Sequence, residues 1–325
     1  MKRRGLVLFS GGLDSILASK VLEAQGIEVI CIKFITPFFG QRALKDPERE
    51  KARVKEKYGL TLELIDISQE FIEMLHDPSH GYGKYLNPCL DCKILMVRKA
   101  VSLLEDFGAS FVATGEVIGQ RPMSQRRDAM RIVERDACAD GLLLRPLCAK
   151  HMRPTKAEIE GIVDRSRLLG ISGRGRKEQM RLAETFGIKD YPTPAGGCLL
   201  ADPILSGRFK EIMDRYRDPD TNDFLLAQTG RHFFLEDGSW LVVGRNQGEN
   251  RQIEALSRKD DIIIKAKNAP GPTALWRNYK DKASKEEVLA IFRRYVKKAP
   301  EDLCIVMNVL SAEAREDDSN LGHEQ

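Results

Sequence analysis

Long apolar runs are missing from this 325-residue sequence. No stretch reaches the roughly 18 apolar residues that a membrane-spanning helix needs, so none is expected. Met1-Lys2-Arg3-Arg4 is a charged start, but Gly5–Phe9 is a short apolar run leading straight into Ser-Gly-Gly. No long apolar region and no small-residue cleavage site follow, so no signal peptide is read and a cytoplasmic location is expected. A G-x-x-x-x-G-K-[ST] loop is absent, which excludes a Walker-type NTPase. No G-x-G-x-x-G follows the first strand, which leaves a dinucleotide site unsupported. Gly170–Gly175 has alternating glycines but comes after a helical segment, and reads as a basic, flexible loop. Histidine is scarce, with five in all, and there is no internal repeat.

Cysteine is not scarce: Cys31, Cys89, Cys92, Cys138, Cys148, Cys198 and Cys304 are present. Structural disulfides are not expected in a reducing compartment. Cys31 and Cys304 lie in apolar, strand-like runs and are expected to be buried core thiols. Cys89 and Cys92 form a C-x-x-C pair in a polar, proline-containing loop and need a separate explanation. Charge is uneven along the chain. Between Val117 and Arg181, fifteen Lys/Arg face eight Asp/Glu, although the whole chain carries only +4. Such a basic stretch suits a polyanionic substrate, and solvated helix faces would account for it equally well.

Strand-like and helix-like segments alternate from the start. Strands are expected at Gly5–Phe9, Glu28–Phe34, Thr61–Ile65 and Ser110–Ala113, with helices at Asp14–Gln25, Lys45–Tyr58 and Cys92–Phe107 between them. Strand-like runs continue at Met130–Val133 and Leu142–Leu144. Pro154–Leu168, Arg176–Phe186 and Ser206–Tyr216 read as helices. This is an α/β pattern, predicting an open, mostly parallel, doubly wound sheet over residues 1–216. A polar linker, Arg217–Asp223, precedes a smaller α+β domain over 224–310. Its strands are expected at Phe224–Thr229, His232–Leu235, Trp240–Val243, Asp261–Ala266, Thr273–Trp276 and Leu303–Val309. Residues 311–325 read as a disordered, acidic and polar tail.

The chemistry begins at Ser10-Gly11-Gly12-Leu13-Asp14-Ser15, a strand-to-helix turn. Its glycines let backbone N–H groups approach phosphate oxygens, its serine hydroxyls add hydrogen bonds, and the helix N-terminus favours an anion. Asp14 has the wrong charge for a phosphate contact, but suits a Mg²⁺ ion bridging the pyrophosphate. In this context the turn resembles the PP-loop of the ATP-pyrophosphatase superfamily, whose members cleave ATP to AMP and pyrophosphate and activate a substrate oxygen as an adenylate.

Three further segments resemble the tRNA thiouridine synthases. Asn87-Pro-Cys-Leu-Asp-Cys92-Lys93 is similar to the cysteine loop of the 4-thiouridine and 2-thiouridine families. Ala113-Thr-Gly-Glu-Val-Ile-Gly-Gln120 resembles an A-T-G-E-x-x-G-Q segment of the former. Leu144-Arg-Pro-Leu147 with Thr155-Lys156-Ala-Glu-Ile159 is similar to their next strand and helix. Cys198, in Pro194-Ala-Gly-Gly-Cys-Leu-Leu200, stands where these enzymes carry a third cysteine.

The resemblance implies an ATP site of Ser10, Gly11, Gly12, Leu13, Asp14, Ser15, Thr114, Gly115 and Lys156, and catalysis by Asp14, Cys89, Cys92 and Cys198. The three cysteines have three readings: ligands of a [4Fe–4S] cluster, which is favoured; a persulfide with a resolving thiol; or zinc, for which His80 is the one nearby fourth ligand.

Two departures from the family are read: no N-terminal RNA-binding region is recognised ahead of the loop and no rhodanese-like sulfur carrier after it, so substrate docking and sulfur supply are expected from elsewhere. Trp240-Leu-Val-Val-Gly-Arg-Asn246, Glu249-Asn250, Asp261–Lys267 and Ala269-Pro-Gly-Pro272 resemble the NFACT-R RNA-binding domain, implying RNA contacts at Arg245, Asn246, Asn250 and Lys267. Lys265 could also contact phosphates. Capping and turn roles are the alternative for the asparagines.

The expected activity is ATP-dependent sulfur transfer to RNA, most simply tRNA. The expected partners are that RNA and a sulfur donor protein or sulfide, with no membrane; a homodimer is left open. Activation of a small metabolite and non-catalytic RNA binding are the competing readings. No segment resembles a glutaminase, which disfavours amidation.

Overall fold

The computed structural model describes residues 3–192, 198–279, 284–297 and 299–309. The chain divides into two compact units, Met1–Gly207 and Arg208–Gln325. The first contains β1 (Arg4–Leu8), α1 (Leu13–Glu23), β2 (Glu28–Ile35), α2 (Pro47–Tyr58), β3 (Thr61–Asp66), α3 (Ser68–His76) and α4 (Cys89–Ser102). It continues through β4 (Phe111–Thr114), α5 (Arg127–Asp136), β5 (Leu143–Leu144), α6 (Lys156–Ile159), α7 (Lys177–Thr185) and the start of α8 (Pro203–Arg215).

Its strands are bonded in the order β3-β2-β1-β4-β5, and every pairing is parallel. One face packs Val7, Cys31 and Ala113 against Ile16 of α1, Val54 of α2 and Ala183 of α7. The other packs Leu6, Ile32 and Val112 against Val97 of α4 and Val133 of α5. Both faces are therefore covered, and apolar residues run continuously along β1. The chain runs outward from β1 through β2 to β3, then crosses back to lay β4 on the other side of β1. The carboxyl end of β1 is thus the topological switch point, where a crevice opens in such sheets.

Several local readings change. Met130–Val133 is not a strand but part of α5. Ala129, Met130 and Val133 form the buried side of that otherwise polar helix, a spacing that an apolar run alone does not reveal. Pro154–Leu168 is not one helix. α6 stops at Ile159, Gly161 adopts φ 70°, and a single 3-10 turn at 165–167 follows. α3 was not foreseen. The C-x-x-C pair lies in the first turn of α4 instead of a loop. Cys31 is a core thiol, as expected, and burial pushes it up to about 12. Cys304 is not: it is exposed, just ahead of the last strand.

The second unit contains α9 (Thr221–Leu226), β6 (Arg231–Phe234), β7 (Trp240–Val243), α10 (Gln247–Ala255), β8 (Ile262–Ala266), β9 (Ala274–Arg277), α11 (Lys285–Arg293) and β10 (Ile305–Val309). Its sheet, in the order β10-β8-β9-β7-β6, is antiparallel. The expected strand at Phe224–Thr229 is replaced by α9. Asp220 and Asp223 form a reciprocal capping box there, which starts a helix and buries Phe224 and Leu226. Arg277 is wholly buried and ion-paired to Asp223 and Asp261, both at 2.8 Å.

The division between units falls inside α8, whereas the sequence reading ends the first domain at residue 216. Phe209 of α8 is buried, with its ring 5.8 Å from that of Phe224, which assigns the later part of the helix to the second unit. The expected tail and Pro194–Gly197 of the Cys198 segment lie outside the described residues. No helix among the described residues is long and apolar enough to cross a membrane.

Candidate active site

Beyond β1 the chain turns through Ser10–Gly12 into α1. Gly11 has φ 77°, a conformation that other residues resist. Gly12 is the extended N-cap, and no side chain caps the helix. The first turn therefore keeps N–H groups for a ligand at the switch point. The Ser15 hydroxyl donates to Gly12 O at 2.8 Å, and Gly12 N donates to Ser10 Oγ at 3.3 Å. These bonds hold the two hydroxyls 3.4 Å apart at the mouth of the turn.

Asp14 has two distinct oxygens. Oδ2 accepts from Gln120 Nε2 at 2.9 Å. Oδ1 is buried without a hydrogen bond, with the Arg176 guanidinium 4.0 Å away. Gly115 lies directly beneath: a Cβ on it would stand 2.4 Å from Asp14 O. β4 and α1 can approach this closely only because residue 115 has no side chain. Thr114, just before it, is buried and donates to Glu116 Oε2 at 3.0 Å. Glu116 is itself buried. Burial alone would raise its carboxyl, but Lys93 (3.7 Å) and Arg145 (3.1 Å) outweigh that and hold it below the usual range. Arg145 also pairs with Glu134. A charged network thus underlies the site, and Lys93, one residue past Cys92, belongs to it.

Two of the thiols, Cys89 and Cys92, occupy the first turn of α4, and Cys198 stands just ahead of a 3-10 turn at 199–201. Asn87 Nδ2 donates to Cys89 Sγ at 3.1 Å. Burial pushes the Cys92 thiol up to about 12; Lys93 opposes the rise, while Cys198 and Cys89 add to it. Burial likewise lifts Cys198 to about 11, with the Leu200 N–H opposing and Cys89 contributing. Cys89, Cys92 and Cys198 are therefore electrostatic neighbours. Even so, no three His, Cys, Asp or Glu side chains among the described residues gather closely enough to hold a metal ion. His80, the candidate fourth zinc ligand, is engaged elsewhere. Its Nδ1 meets Asp91 at 3.0 Å and its Nε2 meets Asp136 at 3.2 Å.

Lys156 is not brought to the loop. Its N–H donates to Gly141 O at 2.8 Å, and its side chain lies over Gly141. Gly141 precedes β5, at the amino edge of the parallel sheet, opposite the edge where Ser10 stands. Arg176, read as the first residue of a helix and found at the N-cap of α7, is the cation beside Asp14. In the sequence Gln120 stands out only as the last letter of the A-T-G-E-x-x-G-Q segment, and its bond to Asp14 has no signal in spacing or charge.

In the second unit, Arg245 is paired to Glu249, and Asn246 caps α10 by accepting from Glu249 N at 3.0 Å. Asn250 Oδ1 is buried and unbonded, packed on the backbone of Gly244. Lys267 is exposed.

A nucleotide-type turn at the switch point of a parallel sheet, with thiols on a neighbouring helix, places the first unit among PP-loop α/β domains. Residues 1–165 match the family described as thiamine biosynthesis protein (ThiI), and the chain belongs to that family. Residues 230–320 match the description "NFACT protein RNA binding domain". A Thermococcus kodakarensis protein named "Probable tRNA sulfurtransferase" is 26% identical over 212 residues, covering 65% of this chain and 49% of that protein. The "tRNA-specific 2-thiouridylase MnmA" of Methylobacterium nodulans is 23% identical over 277 residues, covering 81% and 67%. A solved structure described as a 4-thiouridine synthetase–RNA complex with bound ATP aligns at 20% identity and TM-score 0.36, covering 57% of this chain and 51% of that one. The chain spans about half the length of the Thermococcus relative.

Proposed function

We propose that this chain is an ATP-dependent RNA sulfurtransferase acting on tRNA, which adenylates a uridine carbonyl oxygen and replaces it with sulfur. One observation carries the reading: the loop and the thiols are joined by a short relay of contacts. Asp14 holds Gln120, the 119–125 turn leads to Met123, Met123 touches Asn87, and Asn87 holds Cys89. The family match and the tRNA-modifying relatives support the same reaction class.

The first turn of α1 would receive the ATP phosphates, with Arg176 alongside. A uridine carbonyl oxygen attacks the α-phosphorus, and pyrophosphate leaves. The buried, unbonded Oδ1 of Asp14 fits a Mg²⁺ ligand, and the ion would offset charge on the departing pyrophosphate. Cys89, Cys92 and Cys198 are the three thiolates that a [4Fe–4S] cluster would take, and no step is drawn through one. Sulfur transfer follows instead from a cysteine persulfide charged by a donor protein. Its terminal sulfur attacks the adenylated carbon, and AMP leaves with the bonding pair. A second cysteine then attacks the inner sulfur, releasing the thiocarbonyl and leaving a cysteine–cysteine disulfide for a thiol reductant. Asn87 donates to Cys89 Sγ, a hydrogen bond that would steady charge on that sulfur, so Cys89 is the candidate persulfide carrier. RNA docking falls to the second unit, where Lys267 is exposed and Arg245 would have to exchange Glu249 for a phosphate.

The test is pyrophosphate release with bulk tRNA, together with mass spectrometry of nucleosides from a deletion strain. Thionucleoside levels unchanged by the deletion would sink the reading. Anaerobic purification should give a colourless, iron-free protein; a brown one that bleaches in Cys89→Ala would restore the cluster.

A further inference from the structure

Three large side chains of the first unit remain exposed around the relay: Tyr82 (41%), Tyr85 (36%) and Met123 (46%). Single exposed apolar residues are ordinary, but three set around one site are not. Their backbone is built tightly. Gly83 N donates to Asn87 O at 2.9 Å, and Tyr85 N donates to Asn87 Oδ1 at 3.2 Å, so the 83–87 turn wraps its own asparagine. That asparagine holds Cys89 and lies 3.9 Å from Met123 Sδ. The 119–125 turn is closed by Gly119 N on Gln125 O at 2.7 Å, with Gln120 fixed on Asp14. Both turns present an apolar or aromatic tip to solvent while anchoring the two reactive centres. The Tyr82 hydroxyl donates to Leu75 O at 2.6 Å, which fixes that ring against the end of α3. Lys84, 5.3 Å from the Tyr85 ring, and the exposed Arg121 add positive charge along the same two turns, with Arg127 and the Asp128-paired Arg126 just beyond, at the start of α5.

Resting on the reading above, we infer that Tyr85 and Met123, flanked by Tyr82, form a stacking platform for the target nucleobase, held unpaired or flipped out of its RNA. The chemistry requires one carbonyl to meet first the nucleotide at Asp14 and then the sulfur at Cys89. A base lying on the surface between those centres satisfies both, and aromatic and thioether faces accept any pyrimidine without reading its edge. The flanking cations suit the phosphates on either side of a splayed nucleotide. A protein partner would find little here, because the tips are few and the rim is basic.

The test uses full-length protein. Tyr85→Ala and Met123→Ala should raise KM for tRNA about fivefold to a hundredfold, the range that loss of base stacking produces. Tyr85→Phe and Met123→Leu should stay near wild type, and ATP affinity should not move. RNA carrying 5-bromouridine should cross-link at Tyr85 or Tyr82 on irradiation. Equal tRNA KM in Tyr85→Ala and Tyr85→Phe, or cross-links confined to the second unit, would overturn the platform. A KM increase for the sulfur donor alone would assign the surface to that protein and overturn it too. Wild-type protein that cross-links at Tyr85 but forms no RNA-dependent AMP would separate the two claims: the platform stands and the proposed reaction fails.

Discussion

Gly115→Ala tests whether β4 and α1 hold the nucleotide loop by close approach. The new Cβ would stand 2.4 Å from Asp14 O, 2.5 Å from Asp14 C and 2.6 Å from Ser15 N. All three are main-chain atoms, so no rotamer change relieves the clash. Reaching ordinary contact separates the strand from the helix start by about an ångström. Overpacking of this kind costs about 1–3 kcal/mol. Each kcal/mol lowers Tm by about 2–4 °C for a unit of roughly 200 residues, so calorimetry should show a fall of about 2–12 °C. The functional loss should be larger than the stability loss. An ångström at Asp14 and the first-turn N–H groups misplaces the phosphates, and such displacements cost about a hundredfold in rate. Pyrophosphate release and ATP titration measure it. Gly12→Ala is the stability control, since its Cβ meets only the Ser10 hydroxyl, at 3.4 Å. A Gly115→Ala protein with wild-type Tm and ATP affinity would refute the reasoning.

Three further outcomes are expected. Arg277→Met leaves Asp223 and Asp261 without their buried cation and should cost about 3–5 kcal/mol of the second unit's stability, read by denaturant titration; adding Asp223→Asn and Asp261→Asn should recover part of it. His232 is held down to about 3 by burial first and by Arg208 next. Its folded value lies below the unfolded 6.5, so the unfolded chain binds the extra proton between those values. Stability should therefore be full above pH 6.5 and fall towards pH 3, by at most about 1.4 kcal/mol per pH unit, and His232→Gln should flatten that limb. Alkylation at pH 8, followed by peptide mass spectrometry, should mark the exposed Cys138 and Cys304 first and Cys31 last; early labelling of Cys31 would contradict its buried, raised thiol.

The nucleotide loop was legible because strand, glycine turn and helix are adjacent in sequence and their geometry is local. The sheet was legible for the same reason, since each βα repeat announces itself. Phe224–Leu226 reads as a strand because three apolar residues in a row fit a strand or a short helix equally, and the reciprocal capping box of Asp220 and Asp223 decides for the helix. Met130–Val133 failed in the same way. Lys156 shows a different limit: a motif fixes what neighbours a residue in sequence, not which edge of the sheet its segment reaches. Arg176 and Gln120 reach Asp14 from far along the chain, through packing that no spacing rule encodes. Cys304 has the composition of a core position but falls one residue ahead of its strand.

The Lys93–Glu116–Arg145–Glu134 network has a consequence for variation. Its members come from α4, the turn after β4, the turn after β5, and α5, and two of them are almost fully enclosed. Removing one strands the others with uncompensated charge, so no single member can drift without loss. Across related chains these four positions should change as a set or not at all, and a sequence carrying the cysteine pair without the full set would mark a site that has been rebuilt.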